Sequence, residues 1–470
     1  MEEIFTFFRK RTLVSTKAVE PPCKIHKLST LDLIMQKHHV NIIIYYNTPL
    51  LGSQLGETTL KIRECLTETL SYYHVVSGRL MKKDNSYDND NDNDNENDNE
   101  KGKWVIKCND AGIRMIEARV KGSVENWLEN LDDVNENMLL HWEDMSHVAY
   151  NLWPTFYVKV TEFEEGGLAL GLSCAHMLAD PLSATIFMKA LTDSFLCGKT
   201  TIPPFFHPLP QRRLGFKNSH HRPNNYLINA YKSLLQSPSP SPLMAQSYTT
   251  IALEFKDHIV QSCIRSARLD GLTRSTCSRA FIALVGLIWN CVSRVKEVRH
   301  GLVDMSICLN VRKVLGLNQG YFGNCMIYNK VDGDGVRMDD LVSSTRAVET
   351  AVENMTKDEI FGLIEWLDNY DNDLSPQPVV SSDNLVFINL EDTDPYSSTI
   401  IEGYGPIRVS YYIESIVGKE KVLILPSRPN EGQLSRVVMV TLSSDQALKL
   451  CDDNYLARFS PVVIMGPKHR

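Results

Sequence analysis

The sequence predicts a mixed α/β fold made of two halves joined by a long linker. Three observations lead there. The chain has 470 residues, more than one hydrophobic core usually supports, so two domains of roughly 200 residues each are expected. Strand-like and helix-like runs alternate through both halves. Between them, Thr201 to Leu243 is rich in Pro, Ser, Asn and basic residues and contains Ser237-Pro-Ser-Pro-Ser-Pro242, a composition suited to a crossing segment. The expected units are an N-terminal domain over 1–200, a crossover linker over 201–247 and a C-terminal domain over 248–470.

Taken in order, Leu28-Ser-Thr-Leu-Asp32 reads as a turn opening into a helix, and Asn41-Ile-Ile-Ile-Tyr-Tyr46 as a strand. Leu60, Cys65, Leu66 and Leu70 fall at helical spacing, giving one apolar face. Val75-Val-Ser-Gly-Arg79 leads into Asp84–Glu100, an alternation of Asp, Asn and Glu without a positive charge. Such a segment cannot bury apolar surface and repels itself, so a disordered insertion in an expanded hairpin is expected. Strand Trp104–Cys108 follows, then a turn at Asn109-Asp-Ala-Gly112. Phe156–Thr161, the turn Glu164-Glu-Gly-Gly167 and Leu168–Cys174 form a hairpin whose second strand delivers His176. Asp180-Pro-Leu-Ser183 starts a helix running to about Cys197, with Pro181 suited to its first turn. The second half opens with strand Thr249–Phe255 and a helix from Ser278 to Val295. Strands Leu385–Asn389, Arg408–Ile413, Val422–Pro426 and Val437–Thr441 are assigned to a strand-rich C-terminal half.

Composition narrows the function. Apolar residues make up 43% and charged residues 23%, an ordinary globular mix. Net charge is −8, much of it from the acidic insertion, and the remainder is close to neutral. A nucleic-acid partner would need a basic face, so none is expected. No run of about 18 apolar residues occurs, and the acidic N-terminus does not resemble a secretory signal, so no transmembrane segment is expected. The 11 cysteines lack Cys-x-x-Cys pairs, which argues against disulfides or zinc and for a reducing compartment. His38-His39 and His220-His221 lack the separation by which two imidazoles share a metal. Cys174 is read as a buried structural thiol.

The residues that can carry chemistry are His176 and Asp180. His-x-x-x-Asp alone is a weak pattern, but here it follows an apolar strand and precedes a turn and a helix. An imidazole at such an edge can take a proton from a hydroxyl or amine near neutral pH. Asp180 either orients that ring or fixes the loop through charge-assisted hydrogen bonds; spacing does not decide between these. The glycine-rich turns Gly320-Tyr-Phe-Gly-Asn324 and Gly403–Pro406 lack a phosphate-loop pattern.

Several segments together resemble the BAHD acyltransferases. Leu28–Asp32, Leu70 with Val75–Arg79, and Cys108–Gly112 are similar to N-terminal landmarks of that family. His176-Met-Leu-Ala-Asp180 is similar to its His-x-x-x-Asp motif, and Phe281…Trp289 and Gly320–Asn324 to landmarks of its second domain. The resemblance implies two chloramphenicol-acetyltransferase-like domains with mixed sheets and a channel between them. It implies acyl-CoA as co-substrate and a small-molecule acceptor, with no bound cofactor or metal. His176 would be the general base and Asp180 mainly structural; residues contacting CoA are not identified.

Two departures stand out. Pro181 replaces the glycine usual after the aspartate, and Ile401-Glu-Gly-Tyr-Gly405 replaces Asp-Phe-Gly-Trp-Gly. The resemblance also aligns Asn310 with an arginine of an Asp–Arg ion pair, with Arg312 retained. Losing both partners would avoid an unpaired buried charge. The eroded signature, with Leu31–His39, Lys107–Arg114 and Leu385–Glu391, is similar to the eceriferum and glossy branch of plant surface wax. That branch implies a monomer assisting a condensing enzyme of the endoplasmic reticulum in very-long-chain elongation, cytoplasmic or peripheral at that membrane. The alternative is an acyl-CoA-dependent O- or N-acyltransferase using His176, so enzymatic activity stays open.

Overall fold

The computed structural model describes residues 4–17, 25–36, 38–49, 55–83, 103–143, 152–211, 225–235, 247–269, 278–370, 385–414 and 420–466. The acidic repeat, Ser237–Pro242 and His220-His221 lie outside them. The described residues form three sheets. The first has six strands in the order Phe5–Leu13, Ile113–Val120, Phe156–Phe163, Leu168–Ala175, His39–Tyr46 and Arg408–Glu414. The second has seven: Met326–Val331, Met305–Asn310, Leu385–Asn389, Lys421–Pro426, Arg436–Ser443, Tyr248–Phe255 and Val462–Met465. A small third sheet orders Ile25–Lys27, Trp104–Lys107, Arg79–Lys82 and Trp153–Pro154.

The expected hairpin Phe156–Phe163/Leu168–Ala175 is antiparallel, and every residue in both strands is buried. Its turn uses Gly166 and Gly167 at positive φ, where a side chain would be strained. Burial on both faces explains the unbroken apolar stretch Leu168–Leu172 of the second strand. At Gly171 a Cβ would sit 2.2 Å from the Leu139 carbonyl oxygen, so a glycine is needed for the 131–143 segment to pack there. The strands flanking the acidic repeat, Arg79–Lys82 and Trp104–Lys107, pair antiparallel. Buried Arg79 ties their base together by donating to the carbonyls of Ala111 and Gly112.

Two expectations need correction. Strand Arg408–Glu414, assigned to the C-terminal half, pairs instead with His39–Tyr46, from Arg408↔Tyr45 to Glu414↔His39. Local alternation predicts a strand but cannot say which sheet takes it. The linker region also contains helix Tyr226–Leu235. Its Leu227, Tyr231 and Leu234 are buried at i, i+4 and i+7, a stripe obscured by polar and Pro-rich flanks. Earlier in the same region, Phe205 bridges to Tyr321, donating to the Gly320 carbonyl at 2.8 Å and accepting from the Phe322 amide at 3.0 Å.

Candidate functional site

Strand Leu168–Ala175 ends where its neighbours fix the exit. The Ala175 amide donates to Thr155 (3.0 Å) and the His176 amide to the His38 carbonyl (2.9 Å). One tight turn follows, closed by the Leu178 amide on the Ala175 carbonyl at 3.0 Å. Asp180 then caps helix Pro181–Cys197, its carboxylate accepting from the Ser183 amide at 2.9 Å, with Pro181 in the first turn. Proline there lacks only an N–H that the helix could not use, so the replaced glycine leaves the turn intact.

The Asp180 carboxylate is taken up by structural partners. Arg312 grips it with two bonds, 2.7 Å to Oδ2 and 2.9 Å to Oδ1, and the Cys325 amide adds a third at 3.0 Å. Of the two roles left open by spacing, the geometry gives loop fixation. Burial alone would raise the Asp180 pKa, but the Arg312 charge and these bonds hold it below the usual carboxylate range. Arg312 also donates to Ser183 Oγ (2.9 Å) and the Gly323 carbonyl (2.8 Å), joining the loop to the second half. The Asn310 side chain accepts from the Arg312 backbone amide at 3.1 Å. Ile401 and Tyr404 form a small surface turn, the Tyr404 amide donating to the Ile401 carbonyl at 2.9 Å.

His176 is 1% exposed. Burial pulls its pKa below the ordinary imidazole value, against the opposing pull of the Asp180 charge. Its Nδ1 makes no hydrogen bond of normal geometry, although the Asn324 side chain lies near enough to favour the protonated ring. Asn324 Nδ2 holds the His176 carbonyl at 2.6 Å, and the Asn324 amide and Nδ2 both bind Asp32 Oδ1, at 2.9 and 2.8 Å. Asp32 in turn closes the capping box with Ser29 at helix Thr30–Leu33. Asn324 Oδ1 is also without a partner. Sequence reasoning quoted Leu28–Asp32 and Gly320–Asn324 only as landmarks and missed that Asp32 and Asn324 converge on His176. Cys174 is fully buried, and burial pushes its thiol pKa up, as suits a structural residue.

Two cavities open along the seam between the halves. One, about 400 Å³, lies between helix Pro181–Cys197 and segments around 310–319 and 392–397. The other, about 570 Å³, is lined by His39, Asn41, Trp142, Tyr412 and Lys421 among others. His176 lines neither. Among the described residues no helix is long and apolar enough to cross a membrane.

A family model described as the Transferase family matches residues 8–456. Protein ECERIFERUM 2 of Arabidopsis thaliana is 26% identical over 440 residues, covering 92% of this chain and 93% of its own. Protein ECERIFERUM 26-like of the same plant is 25% identical over 437 residues, covering 90% and 89%. Among solved structures, vinorine synthase superposes with a TM-score of 0.66 at 18% identity, over 94% of this chain and 96% of that one. An F. sporotrichioides TRI101 complex with coenzyme A and T-2 gives 0.67 at 14% identity, over 94% and 99%. These structures share the two-domain fold.

Proposed function

The chain belongs to the Transferase family, the BAHD acyltransferases, and on that premise we propose that it serves very-long-chain acyl-CoA elongation for plant surface wax as partner of a condensing enzyme. The likeness to ECERIFERUM proteins over nearly the full chain supports the branch. One observation carries the accessory role: His176 is closed off. A general base needs its proton donor within about 2.6–3.2 Å and a fixed tautomer, which the hydrogen bond at the other ring nitrogen normally sets. Here the ring is 1% exposed, Nδ1 makes no hydrogen bond of normal geometry and neither seam cavity reaches it. In this reading the fold is kept as a scaffold, held peripherally at the cytoplasmic face of the endoplasmic reticulum by its partner.

A second reading rests on the paired vacancies at His176 Nδ1 and Asn324 Oδ1. A small ring rotation that joined them would leave Nε2 as the acceptor. Nε2 would then take the acceptor hydroxyl's proton as its oxygen attacks the acyl-CoA thioester, and the departing thiolate would receive that proton.

Co-expression with a very-long-chain condensing enzyme in yeast separates the readings. Longer acyl chains from both the parent chain and His176→Ala are expected. Chains that lengthen only with His176 present would refute a passive imidazole. No lengthening from either would refute the elongation role and leave acyl transfer, tested with a panel of acyl-CoAs and alcohol acceptors.

A further inference from the structure

We infer that the cleft between strand Phe5–Leu13 and helix Glu57–Leu70 docks the protein on an anionic lipid surface by taking up a phospholipid phosphate. The strand closes one side of the six-stranded sheet. Its first seven residues read Phe-Thr-Phe-Phe-Arg-Lys-Arg, so aromatic and basic side chains crowd one free edge. The cleft lies wholly in the first half, away from the seam, and holds about 230 Å³. That is less than a drug-sized ligand needs but enough for one phosphate group.

Charge selects an anion. Arg9, Arg63 and Arg119 line the cleft, and among the described residues Glu117 is the one carboxylate on its wall. That carboxylate is already divided between Arg11 at 2.8 Å and Arg63 at 3.2 Å. Glu162 lies 3.7 Å from Arg119, but the amides of Gly56 and Thr59 and the Thr59 hydroxyl donate to it. Thr59, the remaining polar side chain on the wall, is thereby engaged too. Arg9 has no hydrogen bond or ion pair among the described residues. Four guanidiniums therefore share two carboxylates, a local positive surplus in a chain of net charge −8. Arginine presents paired N–H donors that match a phosphate. The rim decides the source of that phosphate. Phe7 and Leu60 line the cleft, Leu60 is 42% exposed, Leu55 is exposed beside it, and Phe8 on the same strand is 56% exposed. A free anion gains nothing from such a rim. At a bilayer the apolar side chains enter the boundary between headgroups and acyl chains while the arginines meet the phosphates.

This surface goes beyond the elongation reading, in which a partner holds the chain at the membrane; vesicles contain no partner, so either can fail alone. Flotation of the full chain with phosphatidylcholine vesicles, with and without phosphatidate, tests it. Binding about tenfold tighter or more to the phosphatidate vesicles is expected, weakening as salt is raised. Arg9→Gln should weaken it about fivefold and Arg9→Glu about thirtyfold, the neutral variant carrying the test should the reversed charge fold poorly. Phe8→Ser should weaken it about tenfold. Both side chains are exposed, so the melting temperature should not change. Equal binding to pure phosphatidylcholine, affinity indifferent to all three variants, release by inorganic phosphate at the lipid phosphate concentration, or no binding would each overturn the surface.

Discussion

Replacing Asp180 by alanine should damage stability far more than its distance from any reacting atom suggests. Arg312 is 4% exposed and receives its neutralising charge from Asp180 through two short bonds. Removing the carboxylate strands a guanidinium in a dry setting, a change that costs about 3–5 kcal/mol. The amides of Ser183 and Cys325 lose their acceptor in the same step. Against a typical total of about 5–15 kcal/mol, the variant should be marginal, melting roughly 4 °C lower for a chain of 470 residues. Asp180→Ala combined with Arg312→Met removes both charges and should recover about 2 kcal/mol relative to the sum of the single changes. Urea unfolding of the four proteins measures this coupling. A single-variant loss below about 1 kcal/mol, or strict additivity, would refute the clamp.

Three further outcomes are expected. Burial, then the charge of His74, lowers the His26 pKa to about 4, so His26 is neutral in the fold but protonates near its ordinary 6.5 when unfolded. Its contribution is full above pH 6.5 and falls toward pH 4, by about 2 kcal/mol between pH 7 and 5; His26→Gln should flatten the pH dependence of the urea midpoint by that amount, and an unchanged slope would contradict the argument. Fully buried Glu136 accepts from Tyr45 (3.0 Å), Ser410 (2.7 Å) and Tyr412; Glu136→Ala orphans three hydroxyls and should cost about 3 kcal/mol or more, with Tyr45→Phe nearer 1 kcal/mol by the same chemical denaturation. Deleting 84–100 should leave the melting temperature and the yeast elongation readout unchanged, because its flanking strands pair without it; a drop in either would give that segment a role.

What was legible in the sequence was local. The hairpin leading to His176 and the helix starting at Asp180 follow from alternation, glycine turns and the Asp-Pro start. Strand Arg408–Glu414 was visible as a strand, yet its place beside His39–Tyr46 depends on a pairing more than 350 residues apart in sequence, which no window senses. The Asp180–Arg312 and Asp32–Asn324 contacts are equally non-local. Acids, amides and arginines abound in any globular chain, so their types do not announce partners. The seam cavity is invisible for the same reason: its walls come from a helix and loops of both halves.

These contacts bear on how an intact His-x-x-x-Asp pattern should be weighed. Asp180 caps a helix, neutralises Arg312 and holds the Cys325 amide, so a chain doing no acyl transfer would still need it to fold. Its presence therefore adds nothing to the case for catalysis. His176 differs, since its buried Nδ1 makes no hydrogen bond of normal geometry and such vacancies cost stability rather than supply it. Its backbone makes the short bonds to His38 and Asn324, and any residue could supply those; the ring adds only an edge contact with the His38 ring and a looser approach to Asn324. The imidazole is thus the one part of the motif whose removal can test chemistry without dismantling the scaffold, and activity lost in an Asp180 variant would speak only to folding.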